Sequence, residues 1–315
     1  MKQNKTATNS ASAWTQYWSG GRLSSCPGAD DSNYAGAIAA TWQTFFATLP
    51  GNGSLLDIAC GNGALLVMAQ QYAAAHEQTW QLTGVDRADI TQRPELDNAA
   101  IQLCSSIDMH ELPYPDNSYD SVCSQYGIEY GTFPDNLNEA LRVLKHGGRF
   151  QFLLHCKDSV IARRASLQLQ QIDLLLDDWA LFDLLAGMLE RSGQDNGFAA
   201  AKQHFDETAA QAFAYMKSAP QNQDISLLQQ SLQQLGEIWQ VRAQRTPAAS
   251  IKACRDASEA LLSLRQRLQD QQAAMLDQQQ AESWLAQARQ CADDVQLNRL
   301  DDAGRALGWC LQGSK

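Results

Sequence analysis

Hydrophobic and polar positions follow two different regimes along this chain. Between residues 54 and 155, short apolar runs recur with helical stretches between them, a pattern that predicts βαβ units around a mostly parallel sheet. Ser54–Ile58, Gln81–Val85, Ile101–Ser105, Tyr119–Ser124 and Arg149–His155 read as strands, with helices expected at residues 34–48, Ala64–Ala75 and Leu137–Leu144. After Cys156 the period changes. Leu167–Leu185, Ile225–Trp239 and Ser258–Gln272 space apolar residues three and four apart, as packed helices require. Gln-rich stretches such as Gln278–Gln280 read as polar helix faces, since no heptad persists long enough for a coiled coil. Strand-like runs return at Val295–Leu300 and Ala306–Gln312, and Asp301, Asp302 and Gly304 between them predict a closing antiparallel hairpin.

This pattern divides the chain into a polar tail at 1–13, expected to be disordered, a sheet domain at 14–157 and 273–315, and a helical insertion at 158–272. The aromatic cluster Trp14, Tyr17 and Trp18 marks where order should begin. The insertion is expected to act as a lid over the carboxyl ends of the strands, where open α/β sheets bind ligands, or as a dimerisation surface making a homodimer. A helical bundle of purely structural role has the same periodicity.

Composition narrows the classes of partner. With 24 Lys and Arg against 35 Asp and Glu the formal charge is −11, so no broad positive field exists to attract a phosphate backbone, and nucleic acid is not the expected substrate. Eight cysteines lie scattered without CxxC spacing and read as free thiols of a reducing compartment. The amino terminus lacks the apolar core of a signal peptide and no long apolar run follows, so a cytoplasmic protein without membrane attachment is expected. The five histidines are dispersed without ligand spacing, and no metal is expected.

Candidate chemistry begins at Leu55-Leu56-Asp57-Ile58-Ala59-Cys60-Gly61-Asn62-Gly63, a strand entering a Gly-containing turn and then a helix. Such a turn allows close backbone approach and offers amide donors at a helix amino terminus. Gly84-Val85-Asp86 ends the next strand with a carboxylate that could accept both hydroxyls of a ribose, or could cap a turn. Ser106-Ile107-Asp108-Met109 follows the third strand, where Asp108 could accept from an adenine amino group with Met109 on the base. A dinucleotide site would read G-x-G-x-x-G, but Leu66 stands at the third glycine's place.

Four elements in order, LLDIACGNG, GVD, SIDMHELPYPDNSYDSV and LRVLKHGGRF, resemble the class I S-adenosylmethionine-dependent methyltransferases, in particular their small-molecule branch. The resemblance covers residues 54–155 and the final hairpin. It implies a doubly wound, mostly parallel, Rossmann-like α/β sheet of seven strands, closed by the antiparallel hairpin, with the helices after Cys156 as a large all-helical insertion. It implies S-adenosyl-L-methionine as cofactor, with Asp57 and the turn of Ala59, Cys60, Gly61 and Gly63 at the methionine portion. Asp86 would lie at the ribose, Ile107, Asp108 and Met109 at the adenine, and Gln125 and Tyr126 beside the sulfonium. The family often has Gly where this chain has Ala59, which is small enough to fit.

In-line methyl transfer chiefly requires alignment of an acceptor and exclusion of water. An acceptor that loses a proton needs a base, for which His155 and Glu129 are the candidates; the alternatives are a hydrogen-bonded strand-end histidine and a first-turn helix carboxylate. Trp18, with Trp14 and Tyr17, would form an aromatic lid favouring the sulfonium charge, or pack on the sheet edge. A small or medium organic acceptor is expected, methylated at O, N, S or C. A repurposed or partner-binding protein on the same scaffold, and a protein methyltransferase, are the competing readings.

Overall fold

The strand pattern resolves into one seven-stranded sheet in the computed structural model, described for residues 12–25, 33–91, 100–191 and 196–315. Its strands are β1 (Asn52–Ile58), β2 (Thr79–Val85), β3 (Ile101–Cys104), β4 (Tyr119–Gln125), β5 (Leu144–Leu154), β6 (Asp293–Asp302) and β7 (Arg305–Ser314). They lie in the order β3-β2-β1-β4-β5-β7-β6. Strands β1 to β5 are parallel, β7 is antiparallel to β5, and β6 is antiparallel to β7. The order reverses between β1 and β4, which opens a crevice beyond their carboxyl ends.

Side-chain alternation assigns each strand's residues to two cores. Leu55 joins one core, with Trp42 and Phe46 of helix α2 (Gly36–Phe46) and Leu65, Leu66 and Ala69 of α3 (Ala64–Ala75). Leu56 and Ile58 join the other, with Leu137 and Leu141 of α4 (Asp135–Val143) and Trp284 of α10 (Gln278–Ala288). A fully buried Leu or Phe contributes about 1.5–3 kcal/mol, so these two apolar layers are the main source of sheet stability. Helix α10 starts at a capping box: Asp277 accepts from Gln280 N–H, while the Gln280 side chain accepts from Asp277 N–H. The β6–β7 hairpin turns through Ala303 and Gly304, both with positive φ, which matches the handedness of paired strands.

By compactness the chain divides into a unit of the described residues up to Ala162 with Asp270–Lys315, and a helical unit at Arg163–Gln269. The helical unit draws on α5 (Val160–Asp173), α6 (Leu181–Leu189), α7 (Asn196–Ser218), α8 (Ser226–Val241) and α9 (Pro247–Ala274), with α5 and α9 crossing its borders. Buried Gln171 ties α5 to α8, donating to Asp224 O and accepting from Leu228 N–H. Arg242 covers the Trp239 ring at 3.4 Å.

Several elements differ from expectation. The anticipated tail at 1–13 falls mostly outside the described residues, but Ser12 and Ala13 belong to a helix over residues 12–19, here α1, with Ala13 buried. Leu167–Leu185 is not one helix. It widens into a π turn at Leu174–Asp178 and breaks at Ala180, whose φ is 45°. Asp177 and Asp178 oppose the helix dipole at this end, which weakens continuation there. Helix α7 lies within the expected helical insertion, α10 begins at the Gln278–Gln280 stretch read as a polar helix face, and β5 begins five residues before the expected Arg149. No described helix is long and apolar enough to cross a membrane.

Candidate functional site

The turn after β1 is built from backbone that few residues tolerate. Ala59, Gly61 and Gly63 have φ of 57°, 51° and 82°. Glycine adopts these angles freely, but a non-glycine residue there holds strain of about 1–3 kcal/mol, so Ala59 fits in volume and is strained in backbone. Cys60 N–H donates to Val85 O (3.0 Å), which fastens the turn to the end of β2. Gly61 N–H donates to Asp86 Oδ2 (2.8 Å), and Asp86 Oδ1 accepts from Ala88 N–H (2.8 Å). A side chain on Gly61 would place its Cβ 2.4 Å from the Trp18 ring, so the turn and α1 are in direct contact.

Asn62 explains that contact. Its buried side chain donates to Trp18 O (2.9 Å) and Arg22 O (2.7 Å), and its Oδ1 accepts from Thr91 N–H. One residue of the turn therefore holds the carboxyl end of α1, which carries Trp14 and Trp18 to the mouth of the crevice. Trp14 and Trp18 stack with centroids 6.3 Å apart, and Trp14 meets Tyr130 edge-on at 5.8 Å.

These elements enclose a cavity of about 360 Å³ at the carboxyl ends of β1, β2 and β4. Of the residues expected at a cofactor, Trp18, Ala59, Cys60, Asp86, Asp108, Met109, Gln125 and Tyr126 line it, as does Glu129. Asp57, Gly61, Gly63, Ile107 and His155 do not. Gly63 caps α3, and Ile107 N–H donates to Asp86 O. Asp57 is buried beside Asp86; burial first, then that neighbouring charge, pushes its carboxyl well above the usual range. Burial raises Asp86 as well, against three backbone hydrogen bonds that favour its charged form. Burial followed by the Asp57 and Asp86 charges raises the Cys60 thiol, which therefore has no nucleophilic thiolate character.

Two histidines have fixed tautomers. Thr132 N–H donates to His110 Nε2 (2.7 Å), so the ring proton sits on Nδ1 and donates to Asp108 Oδ1 (2.6 Å). Burial would raise Asp108, but the backbone and ring hydrogen bonds from His110 outweigh it and hold the carboxyl below its ordinary value. His155 Nδ1 donates to Glu129 Oε1 (2.7 Å), the same oxygen that accepts from His155 N–H (2.8 Å), and Gln271 donates to His155 Nε2 (3.0 Å). Both ring nitrogens are thus committed; Glu129 is among the residues around the cavity, but its side chain is fully buried, and its Oε2 has no hydrogen-bond partner among the described residues. Gln125 is similar: Oε1 accepts from Trp42 Nε1–H, while its buried Nε2 has no partner.

Residues 56–152 match the family model described as a methyltransferase domain. This part of the chain belongs to the class I S-adenosylmethionine-dependent methyltransferase family. The cofactor of that methyltransferase domain is S-adenosyl-L-methionine. No curated protein matches the chain in sequence. Among solved structures, it is similar to a Haloferax volcanii complex containing the Trm112 methyltransferase activator, at 24% identity over 39% of this chain and 57% of that one, with TM-score 0.31. The YcgJ protein from Bacillus subtilis gives 20% identity over 43% and 58%, TM-score 0.31. Geranyl diphosphate C-methyltransferase from Streptomyces coelicolor A3(2) gives 18% over 41% and 51%, TM-score 0.32. In each case the chain spans little more than half of the matched structure's length.

The cavity is also lined by residues that the motifs did not mark. Ser25, Tyr34, Arg87, Ala88, His110, Gly127, Tyr130 and Gly131 line the cavity, joined by Asp270, Ala273 and Ala274 from the end of α9. Tyr130 directly follows Glu129 in sequence, and that adjacency was the available signal. Asp270, Ala273 and Ala274 have the i, i+3, i+4 spacing of one helix face, but nothing local ties that face to residues far away in sequence. Among the described residues no group of three or more His, Cys, Asp or Glu is placed to hold a metal ion.

Proposed function

We propose that this chain binds S-adenosyl-L-methionine in the 360 Å³ cavity and methylates a small or medium organic metabolite there. The observation that carries the reading is convergence. Trp18, Ala59 with Cys60, Asp86, Asp108 with Met109, and Gln125 with Tyr126 come from five separated segments and line one cavity. The cavity fits the cofactor chemically: Asp86 retains acceptor capacity for ribose hydroxyls, Met109 offers an apolar face for a base, and Gln125 Nε2 is a buried donor awaiting an acceptor. Absence of a side chain at Gly61 leaves room for the Trp18 ring over the turn.

The cofactor supplies an activated methyl group on a sulfonium, so the protein's task is alignment, exclusion of water and removal of a proton where the acceptor carries one. In this reading Glu129 Oε2 takes that proton. His155 acts as a positioning residue through its two hydrogen bonds to Oε1. A concave pocket of this volume supports a small acceptor over a macromolecular one.

Calorimetric titration with S-adenosylmethionine and S-adenosylhomocysteine, alongside Asp86→Ala, tests the reading. Micromolar binding that weakens at least tenfold in the variant is expected. Binding of neither ligand would overturn it and leave a scaffold repurposed for partner binding.

A further inference from the structure

Two adjacent residues clamp the loop after β3 to the turn after β4. A Cβ on Gly131 would come within 2.7 Å of Met109 Sδ, so the thioether packs directly on the bare glycine of that turn. His110 reaches the following residue. Thr132 N–H donates to its Nε2 (2.7 Å), which leaves the single ring proton on Nδ1 to donate to Asp108 Oδ1 (2.6 Å). The same oxygen accepts from His110 N–H (3.0 Å), so the ring reinforces an Asx turn.

Asp108 is thereby fixed at one oxygen and unpaired at the other. Both donors fall on Oδ1, and among the described residues none donates to Oδ2. The side chain is 50% exposed and lines the cavity, so a ligand can reach it. Burial raises its carboxyl, but the hydrogen bonds from His110 and the Arg87 charge outweigh it and keep Asp108 an ionised, acceptor-only group. A carboxylate held by one backbone donor keeps rotational freedom that a ligand must remove on binding. A second donor, itself anchored at Thr132, removes that freedom beforehand.

We propose that His110 is a positioning residue for cofactor recognition: by holding Asp108 Oδ1 it presents Oδ2 to the 6-amino group of the adenine. The inference rests on the reading that the cavity takes S-adenosyl-L-methionine. It assigns the preference for an amino-bearing base to a histidine that does not itself meet the base, and that preference is measurable without turnover.

The test is calorimetric binding of S-adenosylhomocysteine and of its 6-deamino analogue, in which hydrogen replaces the adenine amino group. Both are titrated into the full natural chain and into His110→Ala, His110→Gln and His110→Asn, with a melting curve for each variant to set misfolding apart. Glutamine brings a carbonyl near the place of Nε2 and can accept from Thr132 N–H without donating to Asp108. Asparagine brings an amide nitrogen near the place of Nδ1 and can still donate to Asp108. The natural chain should prefer the amino ligand by roughly tenfold, the loss expected when a hydrogen bond to a charged group is deleted. His110→Ala and His110→Gln should lower that preference severalfold with binding of the deamino analogue unchanged, and His110→Asn should retain most of it. Retention in His110→Ala, or as much in His110→Gln as in His110→Asn, would overturn the proposal. Equal weakening of both ligands in every variant would overturn it too, by making the histidine a support for the loop alone, as would a natural chain that binds the two ligands equally. Binding of neither ligand to the natural chain would sink the cofactor reading itself and this inference with it.

Discussion

Gly61 and Asp86 are joined directly beside the cavity, and substitutions there have separable consequences. Gly61→Ala would force its Cβ to within 2.4 Å of the Trp18 ring at a φ of 51°. Strain and overpacking of this type cost roughly 1–3 kcal/mol each, so a lowered melting temperature and displacement of Trp18, read as a change in tryptophan emission, are expected. Asp86→Ala frees Gly61 N–H and Ala88 N–H from their shared acceptor and removes the proposed ribose contact, so the loss of S-adenosylhomocysteine affinity should exceed the loss of stability. Ala59→Gly should work in the opposite direction, because relief of about 1–3 kcal/mol of left-handed strain outweighs the roughly 0.4–1 kcal/mol of added chain entropy. A rise in melting temperature without a change in fold would confirm it. A fall would mean that the Ala59 methyl, whose Cβ lies close to Gly127, contributes more through packing than its backbone loses.

At the scale of elements, α1 is the part most dependent on one side chain. Asn62→Ala would strip donors from Trp18 O and Arg22 O and leave the Thr91 N–H unpaired, at about 1–3 kcal/mol for each polar group left buried. Amide exchange should therefore accelerate in residues 12–19 before it changes in β1 or β4, whereas uniform acceleration would mean that Asn62 supports the whole turn. The parallel strands were legible because each combines a short apolar run with a turn signal: Leu55 to Ile58 before Gly61, and Leu82 to Val85 before Asp86. Helix α1 was half legible, since its aromatic residues stood out while the Ser12-Ala13 entry looked like tail. Helix α10 was legible as a polar face but not its start, because Asp277 and Gln280, whose side chains make its capping box, sit in a Gln-rich stretch that reads as unbroken. The break at Ala180 was missed for a different reason: the apolar spacing of Leu174 to Leu185 continues through it, and the disruption lies in the backbone.

For the whole molecule, local reading reached as far as the half of the cavity built from strand ends. Ala59, Cys60, Asp86, Asp108, Met109, Gln125 and Tyr126 follow predictable strand ends, but Asp270, Ala273 and Ala274 join them only through the path of α9, which no short window of sequence encodes. The same long-range burial governs how stability depends on pH. Asp120, Glu139 and Asp158 are held low by hydrogen bonds and nearby cations, so their contributions are present above the unfolded carboxylate range and fade as pH falls through their depressed values. Asp57 and Asp86 are raised, so their contributions are complete below the unfolded value and are lost as pH rises through the raised ones. As pH rises above the unfolded carboxylate range the two buried aspartates thus weaken the fold progressively, while the depressed groups gain nothing further. Asp57→Asn removes the larger burden without removing the side chain's shape. Its stability relative to the natural chain, from urea melts across that range, should improve steadily with rising pH; a difference independent of pH would show that Asp57 stays charged throughout and that Asp86 carries the titration alone.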